Sequence, residues 1–132
     1  MPAGRLATKL RLKPGHRIAI LNAPAGFEAA LEAKELGLVV SPALASDHDA
    51  ILCFATRLDA VLNSAAALKT ALSRGGILWV CYPKLSSASR AGLDSDLSRD
   101  TLRRELQALG LEGVAMVAID DTWSALRFRV VS

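Results

Sequence analysis

Cysteine, histidine and aromatic residues are all scarce in this chain: it has 2 Cys and 2 His, and 5% of its 132 residues are aromatic. Two thiols cannot staple a small secreted scaffold, which excludes the disulfide-framework families. His16 and His48 have no cysteine or carboxylate partner at ligand spacing, so no zinc centre and no metal is expected. Asp47-His48-Asp49 reads as a solvated loop rather than a cation site. No C-x-x-C, G-x-S-x-G or G-x-x-x-x-G-K-[ST] pattern occurs, which removes thioredoxin-like, nucleophile-elbow and P-loop chemistry. No apolar run approaches the ~20 residues that span a bilayer, so no membrane partner is expected. Basic residues recur through Arg17, and no apolar block of signal-peptide length follows the amino terminus. Cys53 and Cys81 both fall in apolar runs and read as buried, reduced thiols in a cytoplasmic protein.

What the chain does have is aliphatic bulk: 52% of it is hydrophobic, including 23 Ala and 22 Leu. That suits a single domain, residues 1–132, burying roughly two thirds of its unfolded surface. The net charge is +3, unevenly placed. Arg5, Lys9, Arg11, Lys13 and Arg17 stand within the first 17 residues with no acid among them. Such an arm can track phosphates. Short, diluted and free of aromatics, it reads as a solvated helix face, which disfavours nucleic acid as a partner.

Hydrophobic periodicity predicts six strands and four helices. A short helix near residues 6–10 stops at Pro14-Gly15. Strands follow at 17–22, 38–40, 50–54 and 77–82, each short and apolar. A helix from Pro24 closes at Gly37. A longer one starts at a T-x-x-D cap, Thr56 and Asp59, and ends at Gly75-Gly76. Pro83 to Leu97 is a serine-rich connection. Ser98 then caps a helix buried through Leu102, Leu106 and Leu109 and closed by Gly110. A fifth strand covers 114–119. A sixth covers 125–131, with Leu126, Phe128 and Val130 facing the core and Arg127 and Arg129 facing water. Alternating strands and helices give a three-layer, Rossmann-like α/β sandwich with a mostly parallel sheet. The expected strand order is 2-1-3-4-6-5, with strand 6 antiparallel because its link to strand 5 is too short for a crossover.

Leu12-Lys13-Pro14-Gly15 before the first strand resembles the L-x-P-G of class I methyltransferases. Ser73-Arg-Gly-Gly-Ile-Leu-Trp79 resembles their K-P-G-G-x-L turn, and the closing antiparallel hairpin also fits that fold. Asn22-Ala-Pro-x-Gly26, Tyr82-Pro-Lys84 and Asp120-Asp-Thr-Trp-Ser-Ala-Leu-Arg-Phe128 are similar to a small bacterial family of unknown function. Two departures from the methyltransferase pattern stand out. That superfamily places glycines after the first strand, where this chain has one glycine and a proline in residues 22–26. It also places an acid at the end of the second strand to hold a ribose, where this chain has Ser41.

In an open parallel sheet, ligands bind at the carboxyl ends of the strands. The candidate crevice there comprises Asn22, Arg57, Tyr82, Lys84, Asp120 and Trp123, a set able to hold a small anion. Asp120 and Asp121 point apart in extended chain and read as turn carboxylates, with Asp120 pairing Lys84 or Arg127. With Ala23, Pro24 and Ala25 obstructing the nucleoside position, no cofactor is expected. The expected function is a non-catalytic or pseudo-enzyme module, monomeric or homodimeric, binding a small ligand or a protein partner. One alternative is an S-adenosylmethionine-dependent methyltransferase with an altered cofactor loop. Another is a nucleic-acid accessory protein that uses the basic arm.

Overall fold

A computed structural model describes residues 5–84 and 95–131. In chain order the elements are α1 (Arg5–Lys9), β1 (Arg17–Leu21), α2 (Phe27–Leu31), β2 (Val39–Ser41), β3 (His48–Phe54), α3 (Leu58–Ala71), β4 (Leu72–Pro83), α4 (Arg99–Gln107), β5 (Leu111–Ala118) and β6 (Trp123–Val130). They build one six-stranded sheet of order β2-β1-β3-β4-β6-β5. β2, β1, β3 and β4 run parallel, and β6 is antiparallel to both β4 and β5. This is the expected Rossmann-like, methyltransferase-like architecture.

Continuous apolarity in the central strands follows from cover on both faces. On one face Ile51 and Cys53 of β3 join Val61, Ala65 and Leu68 of α3 and Leu102 and Leu106 of α4. On the other, Ala50, Leu52 and Phe54 join Leu10, Phe27 and Leu31 from the α1–α2 side. The basic arm is therefore not a free tail: Ala7, Leu10 and Leu12 are buried. Trp79 Nε1 donates to the Leu10 carbonyl at 2.8 Å across the buried face. Lys9 Nζ donates to the Ala118 carbonyl at 2.6 Å.

Several local expectations are corrected. Thr56 does not cap α3, whose N-cap is Arg57, and Asp59 Oδ1 meets only its neighbour's N–H, that of Ala60, at 2.8 Å. Its first turn is capped from a distance, Leu58 N–H donating to Asp96 Oδ1 at 2.8 Å. Nor does α3 end at Gly75-Gly76: it ends at Ala71, and the chain enters β4 directly. The glycines belong to a bulge in which residues 73–76 oppose Asp49 alone, between the His48↔Leu72 and Ala50↔Ile77 pairs. A Cβ on Gly76 would lie 2.9 Å from the His48 carbonyl oxygen, so only glycine lets the two strands approach there. α2 is a short helix, followed by a separate turn that closes at Gly37 with Leu38 N–H bonded to Ala33 O and Gly37 N–H to Lys34 O. Leu109 is 40% exposed, because α4 stops at Gln107 and its apolar stripe stops with it. Val130 is exposed as well, since it lies past the last β4–β6 pair. His48 is not solvated: β3 begins at His48, which is 2% exposed, with Nε2 accepting from Ala45 N–H.

Candidate functional site

The β1–α2–β2 crossover lies on one face of the sheet and the β3–α3–β4 crossover on the other. The carboxyl ends of β1 and β3 therefore diverge at a topological switch point, where open α/β sheets hold their ligands. A cavity of about 290 Å³ lies there, lined by Asn22 past β1, Phe54 at the end of β3, Thr56 and Arg57 beyond it, Ser64 of α3, and Trp123. Among its lining residues Arg57 is the only charged one. The Arg57 guanidinium stands 3.4 Å from Asp96, both side chains roughly half exposed. Phe54 forms the floor: its ring meets Trp123 edge-on at 5.2 Å and Phe27 edge-on at 4.7 Å.

The six candidate residues divide among three hollows. Asn22, Arg57 and Trp123 share the switch-point cavity. Trp123 also walls a hollow of about 310 Å³ on the α2 side, together with Asp120, Pro24 and Ala25. Tyr82 and Lys84 line a third hollow, of about 460 Å³, with Ser98, Arg99 and Met116. Asp120 is a turn carboxylate as expected: its Oδ1 accepts from the Thr122 and Trp123 N–H groups, each at 2.8 Å. Lys84 reaches the Asp120 backbone carbonyl, at 3.3 Å, rather than its carboxylate. Tyr82 is buried, and its hydroxyl meets Met116 Sδ at 3.4 Å. Burial raises the Tyr82 phenol above its ordinary range, with Arg99 opposing the shift and Asp100 adding to it. Burial also pushes the Cys53 thiol up to about 11, and Cys81 beside it well above the ordinary thiol range. Neither is a ready nucleophile.

Sequence reasoning missed Cys53, Phe54, Thr56 and Ser64 as lining residues. Ser64 lies two helical turns beyond Arg57, a spacing that places both on one side of α3. Thr56 follows the end of β3, the position the switch-point rule itself selects. No group of three or more His, Cys, Asp and Glu among the described residues is placed to hold a metal ion. No helix among them is long and apolar enough to cross a membrane.

The loop after β1 differs from the expected obstruction. Asn22 and Gly26 both take left-handed backbone, φ 58° and 85°. Asparagine is among the few non-glycine residues that tolerate this region, so the loop makes two glycine-type turns with one glycine. Ala23 packs into the core below, and Pro24 and Ala25 line the α2-side hollow. None of the three lines the switch-point cavity.

The fold is that of the S-adenosylmethionine-dependent methyltransferases. A methyltransferase from Geobacter sulfurreducens, solved with S-adenosyl-L-homocysteine, matches with a TM-score of 0.61 at 17% identity, over 95% of this chain and 88% of that one. One from Thiobacillus denitrificans, with the same ligand, matches with a TM-score of 0.62 at 12% identity, over 95% and 89%. The N-methyltransferase NodS from Bradyrhizobium japonicum matches with a TM-score of 0.61 at 12% identity, over 96% and 92%. No protein-family model matches the sequence, and no curated protein matches it. These findings correct the expectation of a non-catalytic or pseudo-enzyme module and favour its methyltransferase alternative. The expected obstruction by residues 23–25 does not reach the switch-point cavity, which none of the three lines.

Proposed function

We propose that this chain is an S-adenosylmethionine-dependent methyltransferase with an altered cofactor loop, its residues 1–132 forming a single domain. One observation carries the reading: the cavity at the β1/β3 switch point, bordered by Asn22, whose backbone is of the glycine type. The residues present fit the group in part. Asn22, which lines the cavity, holds φ 58°, so the chain turns there as a glycine would, whereas Gly26 opens onto the α2-side hollow. Arg57 would face the cofactor's carboxylate, and the Thr56 and Ser64 hydroxyls would face its hydroxyls. The usual ribose anchor does not fit: Ser41 Oγ donates to its own loop, at the Ala43 carbonyl, 2.5 Å away. When bound, the cofactor supplies an electrophilic methyl group. The protein's own part is to orient it on the Phe54–Trp123 floor and keep water from it. Buried, reduced Cys53 and Cys81 suit a cytoplasmic protein.

Thermal melting with S-adenosylmethionine and S-adenosyl-L-homocysteine tests this. At 100 times the dissociation constant a ligand adds about 2.7 kcal/mol, which is several degrees in a chain of this size. Arg57→Ala should weaken the effect about tenfold, the loss of one charge-assisted contact. No shift with either compound at millimolar concentration refutes the proposal.

A further inference from the structure

We infer that the opposite edge of the sheet holds a second site, which takes a phosphate-bearing small molecule of nucleotide size. β1, β3 and β4 all begin at this edge, and a cavity of about 570 Å³ lies there. Its volume falls within the ordinary range of small-molecule pockets, roughly 300–1,000 Å³. Arg11 and Lys13 enter it from the turn after α1, His16 from the start of β1, and Arg74 from the β4 bulge. Asp49 is the one acid among the lining residues, and its Oδ2 already accepts the Arg17 N–H at 2.8 Å. Three basic side chains thus converge on a concave surface with one occupied carboxylate among them.

Two features of the backbone set this cluster apart from ordinary surface charge. First, Arg74 is displaced from the regular ladder. Four residues, 73–76, face only Asp49, which lifts Arg74 and Gly75 out of the strand and toward the cavity. Gly75 has open space where a Cβ would lie, so a ligand can approach its backbone closely. Second, α1 closes with Leu12 N–H bonded to Ala7 O and Arg11 N–H to Thr8 O. That pattern puts Arg11 at the position where helices place glycine. Arg11 holds φ 60° there, a conformation that costs an ordinary side chain energy. The strain is accompanied by like-charge repulsion: burial lowers the Arg127 guanidinium, and Arg11 lowers it further. Neither burden stabilises the fold, whereas an anion in the cavity relieves the second and gives Arg11 a partner. His16 joins them, its Nδ1 held by the Lys13 N–H at 3.1 Å, which leaves Nε2 as the ring nitrogen free to donate.

The probes are tripolyphosphate and ATP, with single-stranded oligouridylate as the polymeric source of the same phosphate chemistry. Amide chemical shifts of the isotope-labelled full chain are followed during each titration. Tripolyphosphate and ATP should both move the amides of residues 11–16 and 73–76. Arg11→Gly and Arg74→Gln should each weaken tripolyphosphate at least about tenfold, while far-UV circular dichroism and the unliganded melting temperature stay at or above those of the parent. The inference is overturned if neither compound shifts those amides at millimolar concentration, or if both variants bind tripolyphosphate as the parent does. It is equally overturned if ATP moves only residues at the carboxyl edge, or if oligouridylate binds and neither small compound competes with it.

Discussion

Replacing Trp79 with phenylalanine tests how the amino-terminal segment is held. Trp79 is 1% exposed, and its indole N–H is bonded at 2.8 Å to the carbonyl of Leu10, itself fully buried. Phenylalanine keeps most of the apolar contact but strands that carbonyl without a donor. An unsatisfied buried carbonyl costs about 1–3 kcal/mol. The smaller ring also leaves a void of roughly 40 Å³, which adds about 1 kcal/mol. The expected loss is therefore about 3 kcal/mol, a large part of the ~5–15 kcal/mol that holds a typical domain together. Urea denaturation followed by circular dichroism should show the midpoint falling with the slope unchanged. Native-state hydrogen exchange should show the Leu10 and Leu12 amides opening first, because both close the end of α1. A loss below about 1 kcal/mol refutes the reasoning, since it means the segment is secured by its aliphatic contacts and the indole bond contributes little.

Asn22→Val should destabilise the fold by about 1–2 kcal/mol, because a β-branched residue resists φ 58°, whereas Asn22→Gly should stay close to the parent; thermal denaturation of the pair checks the sign. Asp120→Ala removes the acceptor of two backbone N–H bonds and should cost about 1–2 kcal/mol by chemical denaturation. Cys53 holds its proton more tightly in the folded state, so its contribution is present below pH ~9, the thiol's unfolded value, and is lost as pH rises toward about 11. The urea midpoint should accordingly fall across that window, and Cys53→Ala should flatten the slope. Native protein at pH 8 should also resist thiol alkylation at Cys53 and Cys81 until urea is added.

The strand order was legible because each central strand is a short apolar run and both faces of the sheet are covered. What misled was punctuation. Gly75-Gly76 reads as a helix stop, yet the helix ends four residues before Gly75, where Leu72 simply turns extended and pairs with His48. Thr56 and Asp59 have the spacing of a local cap, but Asp59 reaches only the Ala60 N–H, and a carboxylate 38 residues along the chain takes that of Leu58. No periodicity reports such a partner. The candidate site was legible at the level of an edge and not of a pocket. Strand ends place Asn22, Arg57, Tyr82, Lys84, Asp120 and Trp123 along one rim, while Trp123 walls both the switch-point cavity and the α2-side hollow, and Tyr82 and Lys84 face a third hollow beside α4. The misjudged loop shows the same limit. Composition reports a proline and two alanines, and only the folded chain shows that none of the three lines the switch-point cavity.

Asp96 also binds the start of α3 in a second way, its own N–H donating to the Thr56 carbonyl at 3.1 Å. While the chain emerges from a ribosome, Asp59 can meet the Ala60 N–H, but the Leu58 N–H has no side-chain acceptor until Asp96 arrives. The bonds from Asp96 to Thr56 and Arg57 can therefore form only after the central strands β1, β3 and β4 have emerged. A protein truncated before Asp96 would keep the sequence of its switch-point cavity without the clasp that shapes it.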